Sequence, residues 1–277
     1  PHSLASRRSS LREVLDLSSR ATDAATRYFA LSASVIAAIQ AGDIAEADAS
    51  AAEADAIAAH YDLAPLRWSA MARRAWRTGL EGRLDRAEEL IRQASEYGEQ
   101  HGISHAPESA LLQRALLRWQ QHRLAEVLPA ARAAYDNYSS NFPGITLLLA
   151  RVLAEDPSGH DEGRARLSDF AENAFARLPR GTFWSSALVV TAETACILDL
   201  PEVSRTIRDL LLPFVDQVAF AGVWVAAPIA YGVGLAAVGC GDRRAPQFFE
   251  QAADIADRIR APVLADLARE RSLAMQG

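Results

Sequence analysis

Apolar residues recur along this chain at helical spacing, and roughly every 40 residues a short polar turn interrupts them, the period of a stacked helical repeat. The turns read Gly42-Asp43-Ile44-Ala45-Glu46-Ala47, Gly82-Arg83-Leu84-Asp85-Arg86-Ala87 and, in weaker form, His122-Arg123-Leu124-Ala125-Glu126-Val127. They continue as Gly159-His160-Asp161-Glu162-Gly163-Arg164, Asp199-Leu200-Pro201-Glu202-Val203 and Gly241-Asp242-Arg243-Arg244-Ala245. Each repeat is therefore expected to be helix A, tight turn, helix B. Gly at the end of helix A can take the left-handed conformation that terminates a helix, and an Asp after it can cap the next one. Ala47, Ala87 and Ala245, followed by Ala94 and Ala252, remove bulk where the paired helices approach.

This pattern predicts an opening helix over 11–19 and six A/B pairs. The A helices are expected at 24–41, 65–81, 107–122, from 143, at 182–198 and within 217–241. The B helices are expected at 44–60, 84–101, 124–138, 161–178, 201–212 and 243–259. A closing helix over 262–275, polar through Asp266, Arg269, Glu270 and Arg271, would cap the open end. The expected fold is all-α, a right-handed superhelical solenoid of tetratricopeptide-like repeats over 11–277, after a flexible segment 1–10. That segment is Ser/Arg-rich and has no initiator Met, and it reads as the frayed start of an excised or processed fragment.

Composition sharpens this picture. Half the residues are hydrophobic, and alanine makes up about a fifth of the chain, which suits closely packed helices. All 29 basic residues are Arg, the net charge is −6, and acidic residues are interspersed among them, so direct nucleic-acid binding is not expected. Cys196 and Cys240 form no CxxC and read as two buried thiols in a reducing, cytoplasmic compartment; no signal peptide opens the chain. The uncharged run 217–241 is long enough to span a membrane, but Pro228 and its glycines assign it to a buried helix.

Common catalytic signatures are absent: there is no GxxxxGK[ST], GxSxG, HExxH or CxxC, and no enzyme or cofactor is expected. Gly232-Val233-Gly234-Leu235-Ala236-Ala237 fits the permissive GxGxxA dinucleotide pattern without a βαβ context, so it reads as small-residue helix packing. His101 and His105 are four apart but separated by Gly102, which argues against a metal site; none is expected. Glu193, inside an apolar helix, is either a buried carboxylate or a groove residue. Tyr28, Trp68, Trp184 and Trp224 recur at one repeat position and read as core. Trp76 and Trp119 break that register, and with Arg67, Arg74, Arg77 and Arg114 they form the candidate binding groove on the A helices. An alternative effector pocket is expected near the last repeat, around Phe220, Trp224 and Tyr231.

In this register the chain, over 11–275, resembles the C-terminal helical-repeat region of large bacterial LuxR-type signalling ATPases akin to the maltose-regulon activator, and of actinobacterial relatives that join a nucleotide cyclase to an ATPase module. The resemblance rests on residues 76–94 (Trp-Arg-Thr-Gly-Leu-Glu-Gly-Arg-Leu-Asp-Arg-Ala-Glu-Glu-Leu-Ile-Arg-Gln-Ala), on Leu210-Leu211-Leu212-Pro213-Phe214 followed by Gly222, Gly232 and Leu235, and on Phe248-Phe249-Glu250-Gln251-Ala252. It implies a non-catalytic sensor that binds a protein partner or small-molecule inducer on its concave face, with ATPase and DNA-binding or cyclase domains on the same full-length chain. Homo-oligomerisation is one route by which such a sensor could act, and a free-standing scaffold is the other reading.

Overall fold

The computed structural model describes residues 3–21 and 23–275. Among them the chain forms fourteen α-helices, four short 3₁₀ turns and one two-stranded hairpin, the all-α arrangement of helix pairs that the pattern predicts. Backbone packing separates it into two compact units, residues 1–110 with 258–260, and residues 111–257 with 261–277.

The first unit holds α1 (Leu4–Ala21), α2 (Ala24–Gln40), α3 (Ile44–Tyr61), α4 (Ala64–Leu80), α5 (Leu84–Gln100) and the first turn of α6 (Ala106–Gln120). Each of α1 to α5 packs on its neighbour in sequence. Tyr28 and Leu31 of α2 meet Ala54 and Ala58 of α3 in one buried cluster, and Trp68 and Ala72 of α4 meet Ile103 and Ala106 in another. The second unit holds the rest of α6, then α7 (Leu128–Tyr138), α8 (Gly144–Leu153), α9 (His160–Ala171), α10 (Trp184–Ile197) and α11 (Pro201–Leu211). It continues with strands β1 (Val218–Phe220) and β2 (Val225–Pro228), then α12 (Ile229–Gly239), α13 (Ala245–Arg258) and α14 (Pro262–Ala274). Helix α10 is its centre, packed against α8, α11, α12 and both strands.

The repeated turns work as their chemistry dictates. Gly42, Gly82 and Gly241 stand at φ 72°, 82° and 73°, and His122 and Asp199 take the same left-handed conformation at 56° and 52° in the turns that lack a central Gly. The next N–H then reaches back to a free carbonyl of the helix: Asp43 to Ala38 at 2.9 Å, Arg123 to Arg118 at 2.8 Å, Leu200 to Ala195 at 2.9 Å and Asp242 to Ala237 at 2.8 Å. Asp43 also accepts from the Glu46 N–H, capping α3. The Gly159 turn differs, because Gly159 is right-handed and closes a 3₁₀ turn. Its requirement is space, since a Cβ there would lie 2.4 Å from the Leu153 carbonyl oxygen. Ala47, Ala87, Ala94, Ala245 and Ala252 are all buried where the pairs close.

Four elements depart from the expected ones. Helix α1 begins at Leu4, so residues 4–10 are helical; Pro1 and His2 lie outside the described residues. The expected helix over 124–138 opens as a 3₁₀ turn, Leu124–Val127, before α7. The expected helix over 161–178 stops at Ala171, because Asn173, Ala174 and Phe175 turn left-handed and so bury Phe175 beside Phe170, ring centroids 6.1 Å apart. The last A helix is also shorter than expected. Residues 218–228 are an antiparallel hairpin pairing Val218 with Pro228, Ala219 with Ala227 and Phe220 with Val225, and α12 starts only at Ile229. A run buried on every side carries no amphipathic period, so its pattern does not separate strand from helix. Among the described residues no helix is long and apolar enough to cross a membrane.

Candidate functional site

The second unit carries a charged centre inside its most apolar helices. In α10 every residue from Leu188 to Ala195 is buried, and Glu193 among them is only 6% exposed. A lone carboxylate there would be strongly disfavoured. Three helices supply its partners. Arg151 of α8, itself buried, donates to Glu193 Oε2 from Nη2 at 2.8 Å and from Nε at 3.3 Å. The Trp119 indole N–H of α6 donates to the same oxygen. Arg271 of α14 donates from Nη2 to Oε1 at 2.7 Å. Burial pushes the Glu193 carboxyl upward, but Arg151, the indole N–H and Arg271 together outweigh it and hold the group below its ordinary value, as the carboxylate. Arg151 spends its Nη1 on Glu155, one turn on, so two carboxylates and two guanidiniums balance.

Tyr231 of α12 completes the centre. Its ring stands 6.1 Å from Trp119 and 5.6 Å from Phe249, both edge-on. Burial, reinforced by the Glu193 charge, pushes its phenol up to about 12, so it is a neutral hydroxyl at physiological pH. Its oxygen is also a hydrogen-bond partner of the Arg271 guanidinium. Beside these groups lies a small cavity of about 50 Å³, lined by Trp119, His122, Leu124, Arg151, Glu155, Glu193, Tyr231 and Leu267. The lining runs from the buried Leu124 to the exposed His122 and Glu155, and its mix of carboxylate, guanidinium and aromatic faces suits a small polar ligand.

Two expected sets thus converge, Trp119 from the groove and Tyr231 from the effector pocket. The other expected residues lie elsewhere. Phe220 and Trp224 are fully buried in and beside the hairpin, which α6 holds through Gln113 Nε2 to the Val223 carbonyl at 2.9 Å and Gln120 Nε2 to the Val225 carbonyl at 3.1 Å. Trp76 is buried in the first unit, as enclosed as the register tryptophans Trp68 and Trp184. Arg77 turns to α3, where Nε and Nη2 fork onto Asp48 at 2.8 and 3.0 Å. Arg67 is exposed and pairs with Asp62 in the turn before α4. Arg74 and Arg114 are exposed on α4 and α6 and carry no ion pair among the described residues.

Arg151 and Glu155 were not singled out by sequence, and Arg271 was read only as one of the polar residues of the closing helix. A signal existed: Arg151 stands alone in the apolar stretch Gly144–Leu153 as Glu193 does in α10, and opposite charges isolated in two apolar helices call for each other.

Other expected candidates resolve simply. Gly232 and Gly234 lie inside α12, where added Cβ atoms would come within 2.7 Å of Val189 and 2.8 Å of Phe249, so the GxGxxA stretch serves close packing. His101 stacks on Tyr97 and His105 stands edge-on to Trp68. Among the described residues no three His, Cys, Asp or Glu side chains are grouped to hold a metal ion. Cys196 and Cys240 are half-buried rather than fully enclosed; burial raises the Cys196 thiol, and Cys240 Sγ accepts from Arg208 Nη1 at 3.4 Å. Comparison of the chain with protein-family models, with curated proteins and with solved structures finds no match.

Proposed function

We propose that this chain is a non-catalytic sensor and interaction domain of a bacterial, actinobacterial-type signalling or transcriptional regulator, and that it reads a small-molecule inducer at the Glu193 centre. The observation that carries this reading is the convergence of Trp119, Tyr231, Arg151 and Arg271 on one buried carboxylate beside a cavity. Such a centre is built to recognise and not to transform. A general acid or base works near its own pKa, whereas Glu193 is held ionised and the Tyr231 hydroxyl is held protonated across the neutral range. Coupling to the rest of a regulator would be a population shift, the ligand favouring one packing of α14 against α10 over another. The resemblance over residues 11–275 supports placing output domains on the same full-length chain, in the cytoplasm, with self-association as one means of transmission.

The test is a thermal-shift screen of the wild-type chain and Glu193→Gln against small amines, guanidines, carboxylates and sugars. A compound that raises the melting temperature of the wild type and leaves Glu193→Gln unmoved supports the reading. Equal shifts in both proteins, or turnover of any compound, contradict it. A second reading, docking of an acidic protein segment on the first unit, is favoured by the unpaired exposed guanidinium of Arg74 on α4. Charge reversal at Arg74 should then abolish partner capture while the melting temperature stays within about 1 °C, since solvent-exposed substitutions change stability little.

A further inference from the structure

We infer that the Glu193 centre is a receptor for a guanidinium or primary-ammonium cation, and that Arg271 of α14 makes the contacts that the ligand's cation would take. The inference rests on the proposed sensor reading and names the ligand class it would take. The three donors to Glu193 are not equivalent. Arg151 is buried and tied to two carboxylates, and Trp119 is locked by packing against Tyr231. Arg271 of α14 alone has 48% of its side chain in solvent. It is the donor that can leave.

If it leaves, the remaining centre carries Glu193 and Glu155 against Arg151 alone, a net negative charge in a low-dielectric wall. Glu193 Oε1 and the Tyr231 oxygen lose their donor, and the Trp119 and Tyr231 rings stand beside the vacancy. Carboxylate, phenol oxygen and aromatic face together form a cation site. An anion would meet two carboxylates, and a neutral sugar would leave the charge uncompensated. A ligand ending in a guanidinium or ammonium group restores every contact that Arg271 makes, and in doing so frees α14, which converts occupancy into movement of that helix.

Chemical rescue tests this on the full chain with methylguanidinium as the probe and tetramethylammonium, which cannot donate a hydrogen bond, as the control at equal ionic strength. Truncation in Arg271→Ala removes a half-exposed side chain, so the fold should persist. About 10 mM methylguanidinium should raise the melting temperature of Arg271→Ala by roughly 3 °C if the site binds it near 1 mM, while tetramethylammonium does nothing. In the wild type the same probe should speed amide exchange across residues 262–274, with the rest of the second unit unchanged. Equal responses to the two cations in Arg271→Ala overturn the inference, and so does the absence of any response. A carboxylate or sugar from the thermal-shift screen that requires Glu193 would overturn the cation class while leaving the sensor reading in place.

Discussion

At the residue scale, one carboxylate organises the second unit. Replacing Glu193 by Gln keeps its shape but leaves Arg151 buried with less than its full counter-charge, and breaking a buried pair from one side costs about 3 to 5 kcal/mol. The expected outcome in denaturant titration is a loss of that order, larger than for Arg271→Ala, whose side chain already sits half in water. Tyr231 makes the opposite prediction on the alkaline side. Its folded pKa, about 12, lies above its ordinary value of 10.0, so the stability it contributes is complete below pH 10 and is lost as pH rises through 12. Tyr231→Phe should flatten that alkaline limb of the melting profile; an unchanged limb would mean that the hydroxyl is not enclosed as described. The sequence displayed Glu193 only as an acid in an apolar helix. Its partners stand 42, 74 and 78 positions away, a separation that no local pattern spans.

At the scale of elements, the turns were legible because their chemistry is local. A left-handed residue, a reaching-back N–H and a following cap lie within six positions of one another, and Gly42, Gly82 and Gly241 announce them. Asp199 occupies the same conformation at φ 52° without being glycine, so Asp199→Gly should stabilise the α10–α11 turn by about 0.5 to 1 kcal/mol in thermal unfolding. The hairpin over 218–228 was not legible, because burial on all sides erases the period that separates strand from helix. Its docking depends on Gln113 and Gln120, polar residues facing inward from α6 to cover strand carbonyls. Helix α12 shows the reverse case, where glycine is required by proximity. Ala is the better helix former by about 1 kcal/mol, yet Gly232→Ala should destabilise by about 1 to 3 kcal/mol because the new methyl meets Val189, including its backbone at 3.0 Å. A neutral or stabilising result would show that α10 and α12 are further apart than described.

At the scale of the whole molecule, arginine stands at every position that lysine could fill, and it holds acids down in both units; in the first, hydrogen bonds from Arg92, then Gln93, bring Glu89 to about 2. Hydrogen bonds from Arg244 bring Asp242 to about 2, and those from Arg132 and Arg166 bring Glu162 to about 2; Glu193 is lowered too. Folded values below unfolded ones mean that this stability is present above the ordinary carboxylate range and is lost as pH falls through the folded values. The chain should therefore keep its full melting temperature down to about pH 5 and lose it progressively from about pH 4.5 toward 2. The lowering of the Glu193 carboxyl is also what the proposed recognition role rests on. The most direct measurement is the pH titration of the Glu193 side-chain carboxyl by carbon-13 NMR, with Glu193→Gln giving the assignment. The account predicts a titration midpoint below the ordinary glutamate value. A titration midpoint between pH 5 and 7.5 would contradict it, and would make Glu193 an acid or base poised for chemistry.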